Sequence, residues 1–130
     1  VAAAMARHVA ERLGENPNLT AVVGGDFNVG ETDLAKSGTD PADDRTDGYD
    51  DTHALLAGGL VDGLRLRSLT REMGNTYCDT RGDGVFPYPG VGAIDVLYVG
   101  GAEAERFGEA SRGRDTFGSD RYPVWAERAP

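Results

Sequence analysis

The chain has 130 residues and a formal charge of −9, from 22 acidic against 13 basic side chains. That length suits one compact domain, and 39% hydrophobic residues supply a core, which excludes wholesale disorder. The charge excludes a protein that coats nucleic acid through a basic surface, although an acidic protein can handle phosphate esters when divalent cations bridge the two anions.

Residues 3–13 are predicted to form a helix, because Ala6, Val9, Ala10 and Leu13 share one face while Arg7, Glu11 and Arg12 fall elsewhere. Gly14 and Asn16-Pro17-Asn18 end it. Residues 19–24 follow as a short apolar, β-rich run, expected to be a strand buried on both faces, with Asp26-Phe27-Asn28 at its C-terminal end. Residues 31–51 turn polar and crowd Asp40, Asp43, Asp44, Asp47, Asp50 and Asp51, which reads as an exposed, mobile loop. A short helix over 52–58 carries Leu55 and Leu56 inward, capped by Thr52 or Asp51, and residues 59–64 approach another edge of the core. After a Gly/Pro-rich stretch over 81–92, residues 93–99 read as a second buried strand with one carboxylate, Asp95, inside it, ended by Gly100-Gly101. Residues 102–107 are expected to form a further strand, and 118–125 a loop entering a terminal strand in which Trp125 is a core residue. The 19 glycines imply many turns rather than a helical bundle. The order of elements suggests α/β or α+β architecture with a sheet covered by helices.

Burying an ionised carboxylate is costly unless a cation or hydrogen-bond donors surround it. Asp26 with Asn28 after the first strand, Asp95 within the second, and Asp120 before the last are therefore the candidate site residues. A hydrogen-bonded structural role is the plain alternative for Asp95 alone, and three such motifs together weigh against it.

Val22-Val23-Gly24-Gly25-Asp26-Phe27-Asn28 resembles the Gly-Asp-Phe-Asn signature of the endonuclease/exonuclease/phosphatase, or DNase I-like, family. Ala93-Ile94-Asp95-Val96-Leu97-Tyr98-Val99 is similar to its Ile-Asp-Tyr strand, and Ser119-Asp120-Arg121-Tyr122-Pro123-Val124 to its closing Ser-Asp-His-Tyr-Pro-Val. Gly59-Leu60-Val61-Asp62 matches a recurrent segment ahead of the Ile-Asp strand. The resemblance implies half of a four-layer α/β-β/α sandwich and a metal-dependent phosphoesterase, nuclease-like or phosphatase-like. It implies that Asp26 holds the attacking water or a metal ion, that Asn28 bonds the phosphate oxygens, and that Asp120 ligates or supports the metal. Asp95 would orient the side chain at 121. Carboxylates of this kind suit Mg²⁺, Mn²⁺ or Ca²⁺, and in-line attack on phosphorus needs an oriented water, a Lewis acid and donors on the non-bridging oxygens. The implied substrates are phosphate esters: a nucleic acid, a phospholipid head group or a sugar phosphate.

Two departures qualify this. Arg121 stands where the family has His, and a guanidinium that stays protonated at working pH cannot be a general base, although it can pair with Asp95 and grip a phosphate. Binding without turnover, as an inactive phosphate-binding or interaction module, is the alternative. The family's first half, with a metal-binding Glu, an Asn and a further His, has no counterpart here. The chain is therefore expected to be a truncated or cleaved piece, or a half-domain that pairs with a missing N-terminal half or a second copy. Its opening, Val1-Ala2-Ala3-Ala4-Met5-Ala6-Arg7-His8, does not read as an intact signal peptide.

Other features carry less. Cys78 is the only cysteine and forms no internal disulfide. No apolar run reaches the roughly 20 residues that span a bilayer. The Asp-rich loop fails calcium-loop spacing, so a small calcium-binding protein is the weakest reading, and Arg81-Gly82-Asp83 is only a three-residue likeness to an adhesion tripeptide. His8 and His53 read as surface or helix-end residues, and Tyr77, Phe86, Tyr88 and Tyr122 as either cleft or packing residues.

Overall fold

The structure, a computed structural model, describes residues 2–27, 51–74, 76 and 93–130. Asn28, Tyr77, Cys78, Phe86, Tyr88, most of the Asp-rich loop and the Gly/Pro-rich stretch lie outside them. The described elements are helices α1 (Ala2–Glu15) and α2 (Asp51–Ala57), and strands β1 (Thr20–Asp26), β2 (Arg67–Ser68), β3 (Asp95–Gly101), β4 (Ser111–Arg112) and β5 (Val124–Trp125). They make a mixed α/β fold with small antiparallel sheets.

The alanine-rich α1 sends Ala6 fully into the core, with Met5, Val9, Ala10 and Leu13 packed beside it, which is the face expected from the 3.6-residue period. The chain leaves α1 through a tight turn in which Asn16 Oδ1 accepts from the Asn18 amide at 3.0 Å. It then enters β1. On α2, Leu56 is completely buried and Leu55 partly so. That helix begins at Asp51, one residue earlier than expected, so any capping residue falls outside the described ones.

β3 is the centre of a three-stranded antiparallel sheet in the order β1-β3-β2. Val23, Val96 and Tyr98 meet Ala6, Leu56, Leu64 and Leu66 in the core. Each large side chain buried there contributes about 1.5–3 kcal/mol of transfer free energy. β1 is buried on one face only: Val23 is 9% exposed and its neighbour Val22 54%. The expectation of two buried faces therefore fails. The run is apolar enough for both, but the helices cover one side of an antiparallel sheet. Gly24 permits close approach on β1, since a Cβ there would lie 2.7 Å from Leu97 Cδ2 and 3.2 Å from the Val96 carbonyl oxygen.

Three further expectations are corrected. Asp95 is the first residue of β3 rather than an interior one, and Gly100 and Gly101 belong to the strand they were expected to follow. Residues 102–107 are no strand: Ala104–Arg106 is a 3-10 turn, held because Arg67 Nη2 donates to the carbonyls of Ala104 at 2.8 Å and Phe107 at 2.7 Å. Trp125 is 45% exposed, because among the described residues its two-residue strand pairs only with β4 at the surface. None of the described helices is long and apolar enough to cross a membrane.

Candidate functional site: carboxylates around a guanidinium

Antiparallel pairing decides where the site lies. In the register of β1 against β3, Thr20 faces Gly101 and Asp26 faces Asp95. The last residue of one strand and the first of the other thus become cross-strand neighbours. Like charges directly opposite each other on a sheet repel, so this pair needs a cation beside it.

Arg121 supplies the cation. Its Nη2 donates to Asp26 Oδ2 at 2.6 Å, its Nη1 lies 3.1 Å from Asp120 Oδ2, and its Nε lies 3.5 Å from Asp95 Oδ2. Four of the sequence-predicted site residues, Asp26, Asp95, Asp120 and Arg121, therefore meet, while Asn28 lies outside the described residues. The contacts differ in quality. The bond to Asp26 is short and charge-assisted. Asp95 Oδ2 is buried and accepts no hydrogen bond among the described residues, because the Arg121 Nε contact is too long to count as one.

The tail is fixed in place by a residue to which no sequence motif points. Thr76 is fully buried. Its Oγ1 accepts from the amides of Ile94 at 3.2 Å and Asp95 at 3.1 Å, and its carbonyl accepts from the Tyr122 amide at 2.9 Å. One threonine thus ties the start of β3 to the segment that carries Asp120 and Arg121. Ser119 Oγ accepts from the Arg121 amide at 3.1 Å and tightens the turn ahead of the guanidinium. A lone Thr between Asn75 and Tyr77 has no signature that would have marked it in advance.

The other end of the site is anchored through Phe27. Its ring stacks 6.3 Å from Tyr98 and 5.5 Å from His53, and His53 Nδ1 shares a 2.6 Å hydrogen bond with Tyr98 Oη. His53 lies in the first turn of α2, as the helix-end reading has it, but is only 3% exposed, which corrects the surface one. The period-2 and period-3.6 patterns do not distinguish a histidine whose ring nitrogen has a buried hydroxyl to bond. This cluster holds the residue after Asp26 against α2 and β3.

An open cleft of about 250 Å³ runs beside the carboxylates, lined by Gly25, Asp26, Asp95, Val96, Leu97, Tyr122 and Val124. The Arg112 guanidinium lies 4.7 Å from the centre of the Tyr122 ring. Burial raises the Asp95 carboxyl above the ordinary value, helped by Asp26 and Asp120, and outweighs the lowering from Thr76 and Arg121. For Arg121, burial works against the charge, but the hydrogen bond to Asp26 and the fields of all three carboxylates prevail and push its pKa up.

The donor chemistry, hard carboxylate oxygens, is of the kind that takes Mg²⁺ or Ca²⁺. The arrangement is not. The guanidinium already sits among the oxygens, and among the described residues no three His, Cys, Asp or Glu side chains are placed to hold a metal ion together. The metal that the resemblance implies, with Asp26 and Asp120 as ligands, does not fit this arrangement while Arg121 is in it. No family model, no curated protein and no solved structure matches this chain.

Proposed function

We propose that this chain carries the carboxylate side of a phosphoester-hydrolysing site of the endonuclease/exonuclease/phosphatase type, in a form whose turnover Arg121 holds down. The observation that carries the reading is that Asp26, Asp95 and the Asp120-Arg121 pair, drawn from three separate motifs, share one guanidinium. Asp26 is 36% exposed and borders the cleft, so it is the carboxylate able to orient a water against a phosphorus atom. Asp95 is more enclosed and faces residue 121, as expected of a group that positions that side chain. An imidazole at 121 could pass a proton between water and the leaving oxygen, whereas arginine keeps its proton. The substrate class is a phosphate mono- or diester. In the finer architecture of this type, a second sheet, from an N-terminal half or a second copy, would cover the face on which Val22 is exposed and complete a DNase I-like sandwich.

The engagement of Arg121 also favours a second reading, a module without turnover. One cation among three carboxylates leaves the cluster net negative, so an approaching phosphate meets repulsion rather than an available guanidinium fork. Hydrolysis of bis(p-nitrophenyl) phosphate in Mg²⁺ buffer separates the two. The chain should turn it over slowly, Arg121→His should be at least about 10-fold faster, and adding Asp26→Ala to that variant should abolish the gain. An Arg121→His variant no faster than the parent would sink the hydrolase reading.

A further inference from the structure

We propose that Arg121 is the resident cation of this site: its guanidinium supplies the positive charge that a divalent metal ion would otherwise bring to these carboxylates, so the cluster is assembled without metal. The pairing register forces Asp26 and Asp95 side by side, and Asp120 arrives beside them with the tail that Thr76 holds. Carboxylates gathered in this way are ordinarily held by a cation with several coordination sites. A planar guanidinium presents donors in several in-plane directions, and here three of its nitrogens each face a different carboxylate, at 2.6, 3.1 and 3.5 Å. The side chain is only 25% exposed, so the charge lies within the cluster rather than over it.

A bound metal and this guanidinium exclude one another, by space and by charge. The inference stands on these ion pairs and not on any catalytic step. It goes beyond the proposed hydrolysis, because it concerns which cation the folded site contains.

The test is thermal unfolding of the full chain in Mg²⁺ or Ca²⁺ against NaCl of equal ionic strength. The parent should show no divalent-specific shift. Arg121→Ala should melt lower in NaCl and recover by at least about 3 °C in millimolar Ca²⁺ or Mg²⁺, as expected when an ion binds the folded state alone. Adding Asp95→Asn should remove that recovery. Arg121→Gln, which keeps more of the side chain and drops the charge, guards against a loss of folding in the alanine variant and should gain the same divalent response. A parent stabilised by divalent ions as much as the variants, or a folded Arg121→Gln protein indifferent to them, would overturn the proposal. Neither result depends on whether the chain hydrolyses anything, so failure here and failure in the phosphodiester assay are distinguishable.

Discussion

At the scale of single residues, Asp95 is where burial and charge pull against each other. Its carboxyl is raised above the ordinary 3.8, first by burial. A raised acid binds its proton more tightly folded than unfolded, so it contributes stability at low pH. That contribution falls as pH rises from about 3.8 through the folded value, and the resulting penalty stays constant above it. Asp95→Asn removes this titration. The difference between parent and Asp95→Asn urea midpoints, measured from about pH 3.5 to 7, should therefore shift against the parent as pH rises across that window. Parallel pH profiles would mean that Asp95 is not desolvated. Glu103 has the opposite sign. Its hydrogen bonds from Arg128, Nε at 2.9 Å and Nη2 at 2.7 Å, hold its carboxyl below the ordinary range, so its contribution is present above about 4.5 and is lost as pH falls through the lowered value.

At the scale of elements, the long periodic segments were legible and the short ones were not. α1 and α2 were visible because their apolar spacing matches the face that packs. β1 and β3 were visible because they are apolar runs bounded by turn residues. β2, β4 and β5 have two residues each, too few to show any alternation. The strand expected over residues 102–107 does not form, since what holds them is not a ladder but the Arg67 side chain reaching from β2 to their carbonyls. Side-chain hydroxyls likewise replace ladder bonds along β3. Thr70 Oγ1 accepts from the Leu97 amide at 3.3 Å, and Thr76 Oγ1 serves Ile94 and Asp95. Thr76→Val keeps the shape and removes the acceptor, leaving buried amides without a partner. It should cost about 1–3 kcal/mol in urea unfolding, with Thr76→Ser costing less. A loss under about 0.5 kcal/mol would show that the hydroxyl does not fix the start of β3.

At the scale of the whole molecule, one antiparallel pairing and one tail make the site. Carboxylates at residues 26, 95 and 120 are far apart along the chain. Their convergence was legible in the order of the motifs, because an acid at an apolar strand end implies a partner. The pairing of Arg121 with Asp95 was legible, but nothing in Ser119-Asp120-Arg121 says that the same guanidinium would also reach Asp26 and Asp120. The same tail bonds back to the turn after β3 through Arg128 and Glu103, and Ala129 donates to the Arg106 carbonyl at 2.7 Å. These bonds anchor the end of the tail to the segment that follows β3.

The convergence itself is tested most directly by a double-mutant cycle on Asp26 and Arg121, with Asp26→Asn and Arg121→Gln singly and together, followed by urea unfolding at low ionic strength. For partly exposed partners in a shared network the coupling should be about 0.5–2 kcal/mol and should shrink as salt is added. Strictly additive single effects, unchanged by salt, would contradict the meeting of residue 121 with the end of β1.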